Sequence, residues 1–166
     1  MTDLSLFESL LNCSTVEELH TIAATISRQM GFEHFLYGVQ VNTSLTRPYQ
    51  FILSGYPKQW RERYVELNYQ EVDPTLHHCV KRVTPIIWRN QVFKGRDSAK
   101  MQGEAKEAGL THGASFAVHG GRGEVAMLSL ATSRSARGAD SDIVANSAKH
   151  NLLNIFLIMH LLAIWD

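Results

Sequence analysis

The chain is short of several things, and each shortage removes a class of protein. Its 16 lysines and arginines are matched by 16 aspartates and glutamates. No bulk positive charge is therefore on offer to a nucleic-acid backbone, and no basic stripe runs along the sequence. There are 2 cysteines, Cys13 and Cys79, too few for a disulfide framework and too far apart for a zinc site. The start, Met1-Thr2-Asp3-Leu4, lacks the basic segment and cleavage site of a secretion signal. The most apolar run, residues 152–165, is short and is broken by Asn154 and His160, which suits a buried core helix better than a bilayer span. Repeats, low-complexity tracts and linkers are missing as well. The expectation is a cytoplasmic protein that does not engage membranes.

What remains is ordinary globular material. The 166 residues, 45% of them hydrophobic, suit one domain with room for a cavity inside its core. Residues 4–29 have helical spacing in two parts, with Ser14 or Thr15 as the cap between them and Gly31 as the stop. Residues 34–41 and 49–54 read as strands joined by a polar loop. Pro57 suits the first turn of a helix running to about Leu67. Residues 85–88 suggest a short strand, and Asp97 or Ser98 begins a helix that Gly109 ends. Residues 114–119 and 124–131 form a hairpin around Gly120-Gly121-Arg122-Gly123. A long helix is expected over 140–164. The implied order is helices, two strands, helices, three strands, helix.

Short connections between neighbouring strands imply a mainly antiparallel sheet. In the last strand Val125, Met127 and Ser129 alternate with Ala126, Leu128 and Leu130, and neither face suits water. Helices should therefore cover both faces, giving an α-β-α sandwich on a five-stranded sheet, similar to PAS and GAF modules. The faces also differ. Phe35, Tyr37, Val39, Phe51 and Leu53 make one large and dry. Leu36, Gly38, Gln40, Gln50, Ile52 and Ser54 make the other mixed, with Gly38 leaving space where a side chain would stand. Core faces are normally filled uniformly, so the mixed face points to a cavity.

The informative stretch is 56–75. On a helix beginning at Pro57, Trp60 and Tyr64 share a face, with Arg61 and Val65 beside them. Pro74 favours an extended conformation at Asp73 and a change of chain direction. Trp60 and Arg61 offer only donors, Tyr56 a donor or acceptor, and an ionised Asp73 only acceptors. A molecule with several carbonyls and one N–H would satisfy all of them. Each residue also has a plainer role: core aromatics for Trp60 and Tyr64, a turn or helix cap for Asp73.

Taken together, Tyr56-Pro57, Trp60, Tyr64, Asp73-Pro74, Trp88 and Gly113 stand at the spacing of the signal-binding domain of the LuxR family. The chain resembles that family over essentially its whole length. LuxR-family members are bacterial transcription factors that sense N-acyl-homoserine lactones. The resemblance implies that Trp60 donates to the lactone carbonyl and that Asp73 accepts the ligand amide N–H with support from Thr75. Tyr56 and Ser129 would hold the acyl carbonyl, and Arg61 would reach a 3-oxo group through water. Tyr64 and Trp88 would wall the lactone, with Phe93 beside it and Ala105 and Leu110 closing over it. Leu36, Gly38, Ile52, Leu76, Val125 and Met127 would line the acyl tunnel, on the same mixed face that strand alternation singles out.

Some positions depart from the family pattern. Phe93, Met101 and Gln102 replace more hydroxylated or aromatic residues around the lactone, and Met127 is bulkier than expected. Gln40, Arg47 and Gln50 make the far end of the tunnel more polar. A medium to long acyl chain is expected. No cofactor is expected, and the resemblance implies DNA contact only through a C-terminal helix-turn-helix domain that this chain does not contain. The exposed side of 152–165, too apolar for a solvent-facing helix, suits a homodimer interface and plain core packing equally well.

An enzyme acting on an amide or lactone is the alternative. The 8 histidines, and His77-His78-Cys79 above all, invite it. Adjacent His77 and His78 point apart, however, and nothing in the sequence places a base beside Cys79. Gly120-Gly121-Arg122-Gly123 is followed by a strand and not a helix, so a hairpin turn outweighs a phosphate loop. An interaction module without a small ligand is a third class, against which the convergent polar set speaks.

Overall fold

A computed structural model describes residues 4–41 and 49–134 and positions 143, 153, 154 and 157. Helices α1 (Leu4–Leu11) and α2 (Val16–Gln29) lead into strands β1 (His34–Val41) and β2 (Tyr49–Ser54). Helices α3 (Lys58–Glu66) and α4 (Pro74–Lys81), strand β3 (Ile86–Ile87) and helix α5 (Arg96–Glu107) follow, then β4 (His112–His119) and β5 (Val125–Thr132). Single 3-10 turns at Tyr69–Glu71 and Asn90–Val92 link the middle elements.

Local chemistry sets the boundaries. Thr15 caps α2, its side chain accepting from the Glu18 backbone N–H, while the Glu18 carboxylate reaches back to Ser14 N–H. Gly31 then turns the chain at φ 95°, a conformation that glycine adopts without penalty. Gly109, at φ 94°, does the same after α5.

The strands form one five-stranded antiparallel sheet in the order β2-β1-β5-β4-β3. Its dry face carries Phe35, Tyr37, Val39, Leu53, Phe116, Leu128 and Leu130, packed on Phe7 and Leu10 of α1 and Leu19, Ala23 and Ile26 of α2. Ile143, Leu153 and Leu157 are helical and buried in this same core, and buried Asn154 donates its side-chain amide to the Phe116 carbonyl. Each such aliphatic side chain contributes roughly 1.5–3 kcal/mol when withdrawn from water. The opposite face lies under α3, α4 and α5, and they cover it only in part.

The expected sandwich is thus present, with differences in detail. Helix α4 was not anticipated: Asp73 does turn the chain, but as the cap of a new helix. Strand β3 precedes α5 in the chain, so the order of elements along the sequence differs from the one expected, although β3 pairs beside β4 of the final hairpin in the sheet. It also keeps only two of the four residues expected of it, because only Ile86 and Ile87 find partners, on Ser115 and Ala114. Strand β4 begins two residues earlier than expected, and β5 spans 125–132 where 124–131 was expected. The remainder of the expected helix 140–164, with the dimer surface expected on it, lies outside the described residues, as does Arg47.

Candidate functional site

The partly covered sheet face encloses a cavity of about 360 Å³, within the range of small-molecule sites. Its floor follows from strand register. Leu36 stands opposite Ser54 and Ser129, Gly38 opposite Ile52 and Met127, and Gln40 opposite Gln50 and Val125. All of these line the cavity. A Cβ placed on Gly38 would have nothing within 4 Å, so the missing side chain is cavity volume and not packing space.

The roof comes from α3, α4 and α5. Trp60 and Tyr64 lie one helical turn apart on α3 with ring centroids 6.0 Å apart, edge to face, and Tyr69 closes the cluster 5.9 Å from Trp60. Such aromatic pairs add about 0.5–1.5 kcal/mol beyond their buried area. Phe93, Met101, Ala105 and Leu110 complete this end. Trp88 reaches it because Gly113 has no side chain: a Cβ there would strike both the Leu130 carbonyl and the Trp88 ring.

The polar groups gather at this enclosed end. Asp73 caps α4. Its Oδ1 accepts from the Thr75 backbone N–H at 2.9 Å, the Thr75 hydroxyl at 2.7 Å and the Leu76 N–H at 3.4 Å. Its Oδ2 accepts from the Tyr64 hydroxyl at 2.8 Å. Burial pushes the Tyr64 phenol well above its ordinary range, and the neighbouring Asp73 charge adds to the effect. The Tyr56 hydroxyl is buried without a hydrogen-bond partner. Burial raises its pKa too, and the nearby Ser129 hydroxyl offsets that in part. The indole N–H of Trp60, a residue only 7% exposed, has no partner among the described residues. A buried hydroxyl without a partner, such as that of Tyr56, costs stability, and an acceptor on a bound molecule would satisfy both it and the Trp60 N–H.

The far end is different. Ile52 is 65% exposed, Val65 78% and Val80 52%, and all three line the cavity. The pocket expected to be buried is therefore enclosed around its polar groups and open at the edge strand β2. Gln50 donates to Gln40 across this rim at 3.1 Å. Arg61 lines the cavity from an exposed position.

Among the described residues, those that the sequence suggested for the site line one cavity: Tyr56, Trp60, Arg61, Tyr64, Asp73, Thr75, Trp88 and Ser129 with the apolar set of Leu36, Gly38, Ile52, Leu76, Phe93, Ala105, Leu110, Val125 and Met127. Other residues were missed. Ser115 accepts from the Trp88 indole at 3.0 Å and lies 2.7 Å from the Ser129 hydroxyl. Alternation along β4 puts it on the cavity side, which was the available signal. Glu104 accepts two hydrogen bonds from Arg63, at 3.2 and 3.1 Å, and one from the Tyr69 hydroxyl at 2.6 Å. No sequence spacing advertises a link between residues 63 and 104.

His77, His78, His119 and Cys79 are placed otherwise. His77 pairs with the Gln70 carbonyl, His78 with the Thr84 carbonyl at 2.7 Å, and His119 with the Cys79 carbonyl. Burial, assisted by Asp73, pushes the Cys79 thiol up to about 12, far from a nucleophile's range. Among the described residues no group of three or more His, Cys, Asp or Glu side chains could hold a metal ion, and no helix is long and apolar enough to cross a membrane.

The family model for the autoinducer binding domain matches residues 15–161. The transcriptional activator protein AnoR of Acinetobacter nosocomialis is 31% identical over 128 residues, 77% of this chain and 54% of its own length. The chain spans about half the length of the curated relatives it matches. Among solved structures, CepR2 of Burkholderia cenocepacia, described as an N-acylhomoserine lactone-dependent LuxR family transcription factor, superposes with a TM-score of 0.77 at 23% identity. That alignment covers 95% of each chain. SdiA in complex with octanoyl-rac-glycerol gives 0.78 at 20% identity, covering all of this chain and 70% of that one. These structural likenesses establish the shared fold.

Proposed function

The chain belongs to the autoinducer-binding domain family, and from that premise we propose that it is the sensing part of a LuxR-type quorum-sensing transcriptional regulator, taking an N-acyl-homoserine lactone with a medium to long acyl chain. One observation carries the reading: the unpartnered Tyr56 hydroxyl, the Trp60 indole and the Asp73 carboxylate line the enclosed end of a largely apolar cavity. An acyl-homoserine lactone has the complementary set, two carbonyls and one amide N–H beside an aliphatic tail.

In this reading Trp60 donates to the lactone carbonyl and Asp73 Oδ2 accepts the amide N–H. Tyr56 and Ser129 hold the acyl carbonyl, and Arg61 serves a 3-oxo group through water. Tyr64, Trp88, Phe93, Ala105 and Leu110 surround the lactone, while Leu36, Gly38, Ile52, Leu76, Val125 and Met127 follow the tail. In this reading the signal is bound and not consumed, and no cofactor takes part; the bonds of His77, His78 and His119 to backbone carbonyls and the raised Cys79 thiol support it. The regulator works in the cytoplasm as a homodimer and contacts DNA through a C-terminal helix-turn-helix domain.

The test is thermal melting of the domain with acyl-homoserine lactones from butanoyl to tetradecanoyl, followed by re-extraction of the ligand. Binding to the native state alone stabilises by about 2.7 kcal/mol at a hundredfold excess over Kd. A raised Tm with intact ligand is the expected result. Ring-opened or deacylated ligand would favour an enzyme, and no response across the series would end the sensing hypothesis.

A further inference from the structure

Ser115 is fully buried in the middle of β4 and does not line the cavity. It nevertheless stands opposite Ser129 in the β4–β5 register, with the two hydroxyl oxygens 2.7 Å apart. Its other neighbour is the Trp88 indole, whose N–H donates to Ser115 Oγ at 3.0 Å. An indole N–H can only donate, so one lone pair of Ser115 is already committed.

Either serine could give its hydrogen to the other on distance alone. Ser115 has a single hydrogen, no exposure, and Ser129 Oγ as the acceptor beside it. Were Ser129 the donor, the Ser115 hydrogen would be left buried and unpaired, which is costly. Ser129 has the alternative, since it lines the cavity and can turn its hydrogen into it. The hydrogen bonds therefore run one way, from the Trp88 N–H to Ser115 and from the Ser115 O–H to Ser129.

We propose that Ser115 is a positioning residue that, with the Trp88 indole, fixes Ser129 as a hydrogen-bond donor toward the cavity and so selects for a ligand carbonyl at that point. The Tyr56 hydroxyl, buried and unpartnered nearby, follows the same polarity. Ser129 donates either to the ligand or to the Tyr56 oxygen, and in the second case the phenol passes its own hydrogen on. Either way this corner offers hydrogens and wants an acceptor. The inference rests on the proposed binding of an acyl carbonyl here and adds a residue outside the cavity that enforces it.

The test combines one reading without ligand and one with it. In the free domain, Ser115→Ala should shift the Trp88 indole ¹⁵N–¹H resonance while Ser115→Thr, which keeps the hydroxyl, should hold it. With N-decanoyl-homoserine lactone as the probe, Ser115→Ala should weaken binding about tenfold, the scale of one neutral hydrogen bond. In a Ser129→Ala background the same change should cost less than about twofold, because the group it orients is gone. Equal losses in both backgrounds would show that Ser115 acts through general packing and would overturn the proposal, as would an unmoved indole resonance. A wild-type domain that ignores the lactone yet shows the indole shift would end the ligand reading and leave the one-way chain standing.

Discussion

The Tyr64 hydroxyl donates to Oδ2 of Asp73 across 2.8 Å while Thr75 holds Oδ1 through both its backbone N–H and its hydroxyl. One carboxylate therefore does two jobs. It caps α4, fixing where that helix starts, and it presents an oxygen to the cavity in an orientation that three partners determine. An ionised carboxylate has about four lone-pair positions, so Oδ2 still has capacity for a ligand N–H after Tyr64 is served.

Truncating this carboxylate separates its roles. Asp73→Ala should lower the stability of the free domain by about 1–2 kcal/mol through the lost cap, measured by urea denaturation. It should also abolish the lactone-induced rise in Tm. Trp60→Phe removes an N–H that has no partner among the described residues, so it should cost less free stability yet remove most of the ligand response. His78→Ala, at a residue that bonds the Thr84 carbonyl and does not line the cavity, should leave that response intact. An Asp73→Ala domain as stable as wild type would contradict the capping role.

Two glycines should respond in opposite ways to gaining a side chain. At Gly38 a Cβ meets open cavity, and replacing a strand glycine relieves backbone entropy. Gly38→Val should keep the native Tm while moving preference toward shorter acyl chains, by about 0.8 kcal/mol for each methylene it displaces. At Gly113 a Cβ would overlap the Leu130 carbonyl and the Trp88 ring. Gly113→Ala should cost about 1–3 kcal/mol from overpacking and weaken every chain length alike. Thermal melts and a chain-length series on both variants check the contrast.

These glycines also mark how far the sequence could be read. Period-two alternation in β1, β2 and β5 was enough to find the cavity floor, because residues on one strand face share a fate whatever their partners. The Tyr56-Pro57 to Asp73-Pro74 stretch was legible because its spacing is local to one helix and one cap. Helix α4 was not, since it is only eight residues long and its apolar stripe of Leu76, Cys79 and Val80 spans barely more than one turn. The open rim was hidden for another reason: the exposure of Ile52 depends on what lies across from an edge strand. The contacts of Ser115 and Glu104 depend on residues 14 and 41 positions away, and only the assembled sheet and helices bring them together.

The Glu104 cluster yields a pH-dependent prediction. The Arg63 guanidinium, followed by the Tyr69 hydroxyl, holds the Glu104 carboxyl below the ordinary glutamate range. A carboxyl with a lowered folded pKa lends stability that is fully present above its unfolded value, about 4.3. That stability fades as pH falls through the folded value beneath it. Glu104→Gln keeps an acceptor for Tyr69 but cannot ionise. The stability gap between wild type and Glu104→Gln should therefore be constant from about pH 7 to 5 and close below about pH 4, as read from urea midpoints at each pH. Because Arg63 is partly exposed, the gap should be modest and should narrow with added salt. The pair joins α3 to α5 over the Trp60, Tyr64 and Tyr69 rings, so the same substitution should speed lactone dissociation by loosening the closed end. A stability gap that persists unchanged at about pH 3, well below the unfolded value, would mean that the amide disturbs packing and that the charge pairing contributes nothing.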